Sequence, residues 1–192
     1  MRNAHDVFNE IRQILGTDVG SAHQTATPTA SAPFSDHEMA DWLSALQGND
    51  LLIPWTAEAL RLYGNVTSLE KGQIGYSADT AGNPLPDWPG DWIVLGEISN
   101  DPIIGRIEQN HCAILFARHG AGSWQANPVS NDILTFAEAL LIWCDLFVRR
   151  YAMNVYDDTL AVQPAFLAEL RQRVGKTLSN AETDVFMNMV DG

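Results

Sequence analysis

The stretch Pro86–Gln109, PDWPGDWIVLGEISNDPIIGRIEQ, decides the fold class that the sequence predicts. It begins with Asp87–Gly90, a Trp-Pro-Gly combination that is typical of a compact turn. Trp92–Leu95 is a short apolar run of strand-forming residues, and Ser99–Pro102 predicts a second turn. The isoleucines of Ile103–Ile107 then begin another strand. The stretch therefore predicts two neighbouring strands with acidic residues at their turns.

The rest of the chain separates into a strand-rich middle and helical ends. Ile74 with Tyr76 and the run Ala113–Arg118 predict further strands, and Trp124 begins an extended piece that Pro128 closes. Helices are predicted over residues 4–15, between a capping box at Ser35–Glu38 and Gly48, from Asn131 or Asp132 to about Tyr151, and over Pro164–Val174 and Ser179–Val190. This grouping favours an α+β fold with a mostly antiparallel central sheet, helices packed against it, and extra helices at both ends.

The predicted elements divide the chain into three parts. Residues 1–34 form an N-terminal helix and linker, residues 35–151 an α+β domain, and residues 152–192 a C-terminal helical extension. The strand residues predicted to contribute to the core are Trp92, Val94, Ile104, Ile114 and Phe116. The residues of the long helix predicted to contact the sheet are Leu134, Ala137, Leu141 and Cys144.

The charge balance excludes some classes of ligand. The formal net charge is −13, from 24 acidic and 11 basic side chains. Because phosphate binding needs clustered Lys and Arg, neither nucleic acid nor an anionic membrane surface is an expected ligand. A basic protein partner is compatible with the charge, since opposite charges steer association. The alternative is that the excess acid only keeps the protein soluble.

Cysteine usage and the N-terminus indicate a cytoplasmic protein. Cys112 and Cys144 lie in apolar segments without ligand spacing, as buried free thiols in a reducing compartment do. The first 15 residues carry charges throughout and lack the apolar core of a signal peptide. The most apolar run, Ile133–Val148, is shorter than the roughly 20 residues that cross a bilayer.

Motifs for catalysis or cofactor binding are missing from the sequence. It contains no P-loop, HExxH, CxxC pair or GxSxG. His111, Cys112 and His119 lie close in sequence but match no common zinc spacing, so structural roles are expected for all three. We therefore expect no catalytic residue, no metal and no cofactor.

Six acids lie between residues 79 and 108, against the single base Arg106. They form either a solvated rim or an acidic binding face. Trp88 and Trp92 favour the second interpretation, because aromatic side chains surrounded by acids are plausible hot spots for a basic partner, although Trp92 could instead pack in the core. The predicted partner-binding residues are Trp88, Asp91, Trp92, Glu97 and Asp101.

Short motifs follow one another over residues 51–145 in a distinctive order. They are Ile53-Pro54, a short helix in Trp55–Leu62, Tyr63-Gly64-Asn65, Asp91–Gly96, Asp101-Pro102, Ala113–Ala117, His119-Gly120, Trp124 and Phe136. Their order resembles the SUKH superfamily, which includes the Smi/Knr cell-wall assembly regulators and bacterial toxin-immunity proteins. The chain departs from the family pattern in the Gly-Asn order at 64–65, which is inverted, and in Ser99-Asn100, where Gly-Gly is common.

The resemblance implies a small intracellular protein that binds another protein. Its commonest bacterial form would be an immunity-type protein that neutralises a toxin, and an acidic inhibitor suits a basic toxin domain. The first alternative is a regulatory scaffold like the fungal members. The second is a hydrolase that uses the acids near residues 87–101 as paired carboxylates.

Overall fold

The structure, a computed structural model, describes residues 2–17, 39–55, 59–108, 111–120 and 123–191. Within these residues six strands form one sheet in the order β1-β2-β3-β4-β5-β6, each strand antiparallel to its neighbours. Helices pack against it, which confirms the predicted α+β class. The strands are β1 Leu51–Ile53, β2 Leu60–Leu62, β3 Trp92–Ile98, β4 Asp101–Glu108, β5 His111–Phe116 and β6 Asn127–Ser130. The helices are α1 Ala4–Leu15, α2 Ala40–Leu46, α3 Val66–Gly72, α4 Ile133–Cys144, α5 Pro164–Val174 and α6 Asn180–Asp191, and a π-helical segment, Asp145–Arg150, continues α4.

The predicted hairpin of β3 and β4 is confirmed, with a tighter turn than expected. Ser99 and Asn100 both have positive φ angles, 52° and 61°. Two consecutive left-handed residues are the signature of a type I′ turn, whose twist matches that of the flanking strands. Asp101 and Pro102, predicted to lie in the turn, instead belong to β4 and pair with Ile98 and Glu97.

The predicted long helices are confirmed with their caps. α1 ends at Gly16, which has a left-handed φ of 67°. Asp132 caps α4 by accepting the Thr135 N–H at 2.8 Å. At the start of α6, the Ser179 N–H donates to Glu182 Oε2 at 2.9 Å, so the predicted capping box is present.

Three shorter predictions were wrong. The helix in Trp55–Leu62 is contradicted at Leu60–Leu62, which forms β2 because it pairs with β1. The strand at Ile74 and Tyr76 is also wrong, since Ile74 makes only an isolated bridge to Ala78 just after α3. Pro128 does not close an extended piece from Trp124 but lies inside β6.

The N-terminal part is described only in pieces. The predicted capping box Ser35–Glu38 and most of the predicted linker lie outside the described residues. The described helix α2 begins at Ala40 after Met39 as its N-cap, and it ends at Leu46, followed by the C-cap Gln47, whose φ of 56° is left-handed.

One hydrophobic core contains residues from all three predicted parts of the chain. Phe8 of α1, Leu62 of β2, Trp143 of α4 and Phe186 of α6 are all fully buried in it. The N-terminal helix α1 and the C-terminal helix α6 therefore share one hydrophobic core with the sheet of their own chain. Among the predicted core residues, Val94, Ile104, Ile114, Phe116, Ala137 and Cys144 are buried, whereas Trp92, Leu134 and Leu141 are half-buried.

The opposite face of the sheet carries a second, smaller apolar cluster. Ile104 and Leu115 are paired across β4 and β5 and alternate with residues of the main core, so they point to the other face. The rings of Trp88, Trp92 and Trp124 pack over this cluster. This aromatic cover forms one wall of the candidate functional site. Among the described residues, no helix is both long and apolar enough to cross a membrane.

Candidate functional site

The connection from α3 to β3 is anchored to the sheet by one buried glutamine. Gln73 is 3% exposed. Its Nε2 donates to the carbonyls of Leu69 at 2.8 Å and Val94 at 2.9 Å, and its Oε1 accepts the Val94 N–H at 3.0 Å. Because these bonds satisfy backbone groups of both elements, they fix the end of α3 relative to β3.

Asp79 organises the loop that follows. Its Oδ1 accepts the N–H groups of Ala81 at 2.8 Å and Asn83 at 2.9 Å, and its Oδ2 accepts Asn83 Nδ2 at 2.9 Å. The hydrogen bonds from Asn83 lower the pKa of the Asp79 carboxyl. Gly82, with a φ of 83°, supplies the left-handed residue of this turn. Asp79 is therefore a structural carboxylate of the loop.

A groove of about 640 Å³ lies between α3, this loop and the beginning of β3. We call it the tryptophan groove. Ile74 contributes an apolar side chain that is 48% exposed. Most of the lining is apolar, and Glu70 on α3 is its single charged residue. The main side chains of the lining are Glu70, Ile74, Leu85, Trp88, Trp92 and Ile93.

The tryptophan wall of the groove is held in place by ring contacts. Trp88 Nε1 donates to the Trp92 carbonyl at 2.9 Å, and the two rings meet edge to face at 5.6 Å. Trp124 lies 6.0 Å from Trp88 and 5.5 Å from Tyr76. At these separations the rings touch directly, so they form a packed wall instead of an open cage.

Two of the five predicted partner-binding residues line the groove, and a third, Asp91, lies between them in the sequence. Trp88 and Trp92 are half-buried and line the groove. Asp91, between them in sequence, is exposed, and its carbonyl accepts the Ile107 N–H at 3.0 Å. The backbone of this turn is thus tied to β4, while the Asp91 side chain remains in solvent.

Glu97 is engaged by side chains of the protein itself. It is half-buried and accepts a hydrogen bond from the Tyr76 hydroxyl at 3.2 Å. Burial, and then the neighbouring Glu97 charge, raise the pKa values of Tyr63 and Tyr76 well above the usual range. The phenols therefore stay protonated, and Tyr76 separates the Glu97 carboxylate from the aromatic wall.

Asp101, also predicted as a partner-binding residue, is buried and is held by residues of the protein itself. It is 1% exposed. Its Oδ2 accepts Arg118 Nη1 at 3.1 Å, and its Oδ1 accepts the His119 N–H at 2.7 Å and lies 2.5 Å from His119 Nδ1. The sequence analysis placed Asp101 in an exposed turn. In the structure its carboxylate instead links the start of β4 to the residues that follow β5.

His111, Cys112 and His119, which lie close together in the sequence, do not form one site in the structure. His111 pairs with Glu108 at 3.0 Å at one end of β5, whereas His119 contacts Asp101 beyond the other end. Cys112 is buried, and burial raises the pKa of its thiol to about 12. Over the described ranges, no three His, Cys, Asp or Glu side chains are grouped as metal ligands.

A larger cleft of about 820 Å³ lies along α5 and α6, but both of its arginines are paired within the protein. Arg171 contacts Asp184 at 2.5 Å, and Arg118 is bound to Asp101 and to Asn188. Because its arginines already have partners, this cleft is a weaker candidate for a ligand site than the tryptophan groove.

The sequence reasoning missed Glu70, Ile74 and Leu85 as groove residues. Glu70 was missed because α3 was not predicted, and Ile74, which follows α3, was assigned to a strand. The signal that could have revealed α3 is Asn65 with Ser68, since Asn65 Oδ1 accepts the Ser68 N–H at 2.9 Å in a capping box.

The fold and the groove together define an α+β domain that presents an apolar, aromatic groove beside exposed acids. The chain matches no protein-family model, no curated protein and no solved structure. The resemblance to the SUKH superfamily therefore depends only on the motifs quoted above.

Proposed function

We propose that the protein is a non-enzymatic protein-binding module whose contact surface is the tryptophan groove. The observation that carries this proposal is the groove itself, whose lining combines an exposed Ile74 with the packed rings of Trp88 and Trp92. Tryptophans in preformed pockets dominate many protein interfaces, because a rigid aromatic surface loses little conformational entropy on binding. The volume of the groove also lies within the range of preformed ligand pockets, roughly 300–1,000 Å³.

Charge supports a basic partner. Asp87 and Asp91 are exposed on either side of Trp88-Pro89-Gly90 in the sequence, and Glu70 lies inside the groove. The whole chain carries a net charge of −13. A field of one sign raises the association rate with a partner of the opposite sign and disfavours acidic competitors.

The specific form that we propose is a cytoplasmic immunity-type protein that neutralises a basic toxin domain. This step is supported by the resemblance to the SUKH superfamily. Its motif Asp91–Gly96 covers the beginning of β3, the strand that starts at the groove. An acidic surface could cover the positive region that a toxin such as a nuclease uses to bind phosphate.

Capture of the partner from the native host tests the proposal. Immobilised protein is incubated with lysate at low salt, the bound protein is identified, and its affinity is then measured by calorimetry. We expect affinity to fall as salt rises, because exposed charges are screened over about 10 Å at 0.1 M.

Two substitutions locate the contact. Ile74→Glu and Asp91→Lys should each weaken binding more than tenfold, which corresponds to about 1.4 kcal/mol. The matched controls are Leu52→Glu, on the edge strand β1 and 52% exposed, and Asp158→Lys, in an exposed loop before α5. Equal binding by the groove variants and the controls would overturn the assignment of the surface, and a partner that is a housekeeping protein would favour the regulatory alternative over immunity.

A further inference from the structure

Glu70 stands out in the tryptophan groove because it is a half-buried carboxylate in an apolar setting. The groove is otherwise lined by uncharged residues. Across the described part of the chain, no Arg, Lys or His side chain lies within ion-pair distance of Glu70, although most half-buried acids of this protein have such a partner or a hydrogen-bond donor. The groove therefore combines two indole surfaces with one carboxylate that has no cation beside it.

On the basis of the proposed function, we infer that the partner places an arginine side chain in the tryptophan groove. Its guanidinium would pair with Glu70, and its methylene stem and planar head would lie against Trp88 and Trp92. A guanidinium is planar and weakly hydrated, so it stacks on aromatic rings and can form two parallel hydrogen bonds with a carboxylate.

An apolar anchor fits the same groove less well. A leucine or phenylalanine seated there would remove water from the Glu70 carboxylate without replacing its hydrogen bonds, and burying an unpaired charge is costly. A lysine could pair with Glu70, but its ammonium is strongly hydrated and cannot stack as a plane. The chemistry of the lining therefore selects arginine over both alternatives.

The exposed acids beside the groove also favour basic residues in the partner next to that arginine. Asp87 and Asp91 border the Trp88 turn and are exposed. Basic residues beside the anchor would approach them without leaving solvent, where each contact contributes little affinity but assists association. We therefore expect a basic segment with one arginine buried in the groove.

Short peptides provide a direct test that does not need the native partner. The probes are acetylated and amidated tripeptides with alanine at both ends and a central arginine, citrulline, lysine or leucine. Citrulline has the shape of arginine without its charge. Binding is followed by NMR through the indole N–H signals of the six tryptophans, which also report where each peptide binds.

We expect the arginine peptide to shift the signals of Trp88 and Trp92 and to bind at least tenfold more tightly than the citrulline peptide. Glu70→Gln should remove that difference, and the control Asp158→Asn should preserve it. Equal binding of the arginine and citrulline peptides by the wild-type protein, a preference for leucine, or no shift at Trp88 would each overturn the inference.

Failure of this inference can be separated from failure of the proposed function. If Ile74→Glu abolishes binding of the native partner while Glu70→Gln leaves it unchanged, the groove is the contact surface but arginine is not its anchor. If neither variant changes partner binding, the groove is not the contact surface and both conclusions fall.

Discussion

Replacing Trp55 by alanine removes a ring that contacts three helical elements at once. Trp55 is 2% exposed and follows β1. Its ring lies 5.0 Å from Trp143 of α4, 5.1 Å from Phe147 of the π-helical segment and 5.5 Å from Phe166 of α5. Its Nε1 donates to the carbonyl of Val190 in α6 at 2.8 Å. This substitution therefore tests whether the C-terminal helices and the sheet unfold as one unit.

The expected loss follows from burial and from the hydrogen bond. Truncating a buried Trp to Ala costs about 3–5 kcal/mol, including the cavity that it leaves. The Val190 carbonyl loses its donor, which adds about 1 kcal/mol. A total of about 5 kcal/mol should lower the melting temperature by roughly 10–20 °C in a chain of this length. Trp55→Phe keeps most ring contacts and should cost about 2 kcal/mol.

Urea unfolding followed by far-UV circular dichroism measures this loss without depending on tryptophan fluorescence. The matched control is Trp124→Ala, which deletes the same side chain at a half-buried position and should cost less than half as much. A loss below about 1 kcal/mol for Trp55→Ala would refute the reasoning. So would a second transition, because the C-terminal helices would then unfold separately from the sheet.

Three further predictions concern single side chains. Asp101→Asn should lower stability by about 2 kcal/mol, because its buried carboxylate accepts three hydrogen bonds, and a change within about 0.5 kcal/mol in thermal melts would contradict its structural role. The pKa of Asp79 is lowered in the folded state, so its contribution to stability should be present above about pH 4 and be lost as the pH falls, and Asp79→Asn should flatten that acid limb in urea unfolding. Leu160 is 82% exposed with a left-handed φ of 65°, so Leu160→Asn should raise stability by about 0.5–1 kcal/mol, whereas Leu52→Asn on β1 should not.

The elements that the sequence predicted correctly are those specified by local signals. α1 has apolar residues at helical spacing and a terminal Gly16, and α4 follows the cap Asp132. The β3–β4 hairpin has a two-residue turn that Asn100 tolerates in the left-handed region. In each case the residues that decide the structure lie within a few positions of one another.

The elements that were missed depend on distant residues. β2 has three residues and is a strand only because it pairs with β1 and with Gly96 and Glu97 of β3. The seven-residue helix α3 is shorter than an isolated helix that is stable in water, and the bonds of Gln73 to Val94 hold its end. The capping pair Asn65 and Ser68 marks only the start of α3, and no apolar periodicity in the sequence predicts the rest of this short helix or the groove beside it.

Only the part of the candidate site that is formed by residues close together in the sequence was predicted. Trp88, Asp91 and Trp92 lie in one turn-and-strand motif, and the structure places both tryptophans at the groove. Glu70 lies on α3 and Ile74 follows that helix, so their place beside Trp88 in one groove depends on tertiary packing.

Counting acids in the sequence cannot distinguish those that bind a partner from those that hold the fold. Asp50 accepts hydrogen bonds from the Gly64 N–H at 2.9 Å and Ser68 Oγ at 2.6 Å and pairs with Arg61, so its oxygens are occupied. Asp79 and Asp101 are occupied in the same way by backbone and side-chain donors.

This difference decides which charge reversals are informative about binding. Asp101→Lys would place a second cation beside Arg118 in a site that is 1% exposed, so a loss of partner binding would report unfolding. Asp91→Lys changes an exposed charge whose backbone is held independently by Ile107, so the fold should survive and any loss of affinity should come from the contact surface. A double variant of Asp87 and Asp91 that melts like the wild type yet still binds its partner at full strength and with the same salt dependence would show that the exposed acids only solubilise the protein.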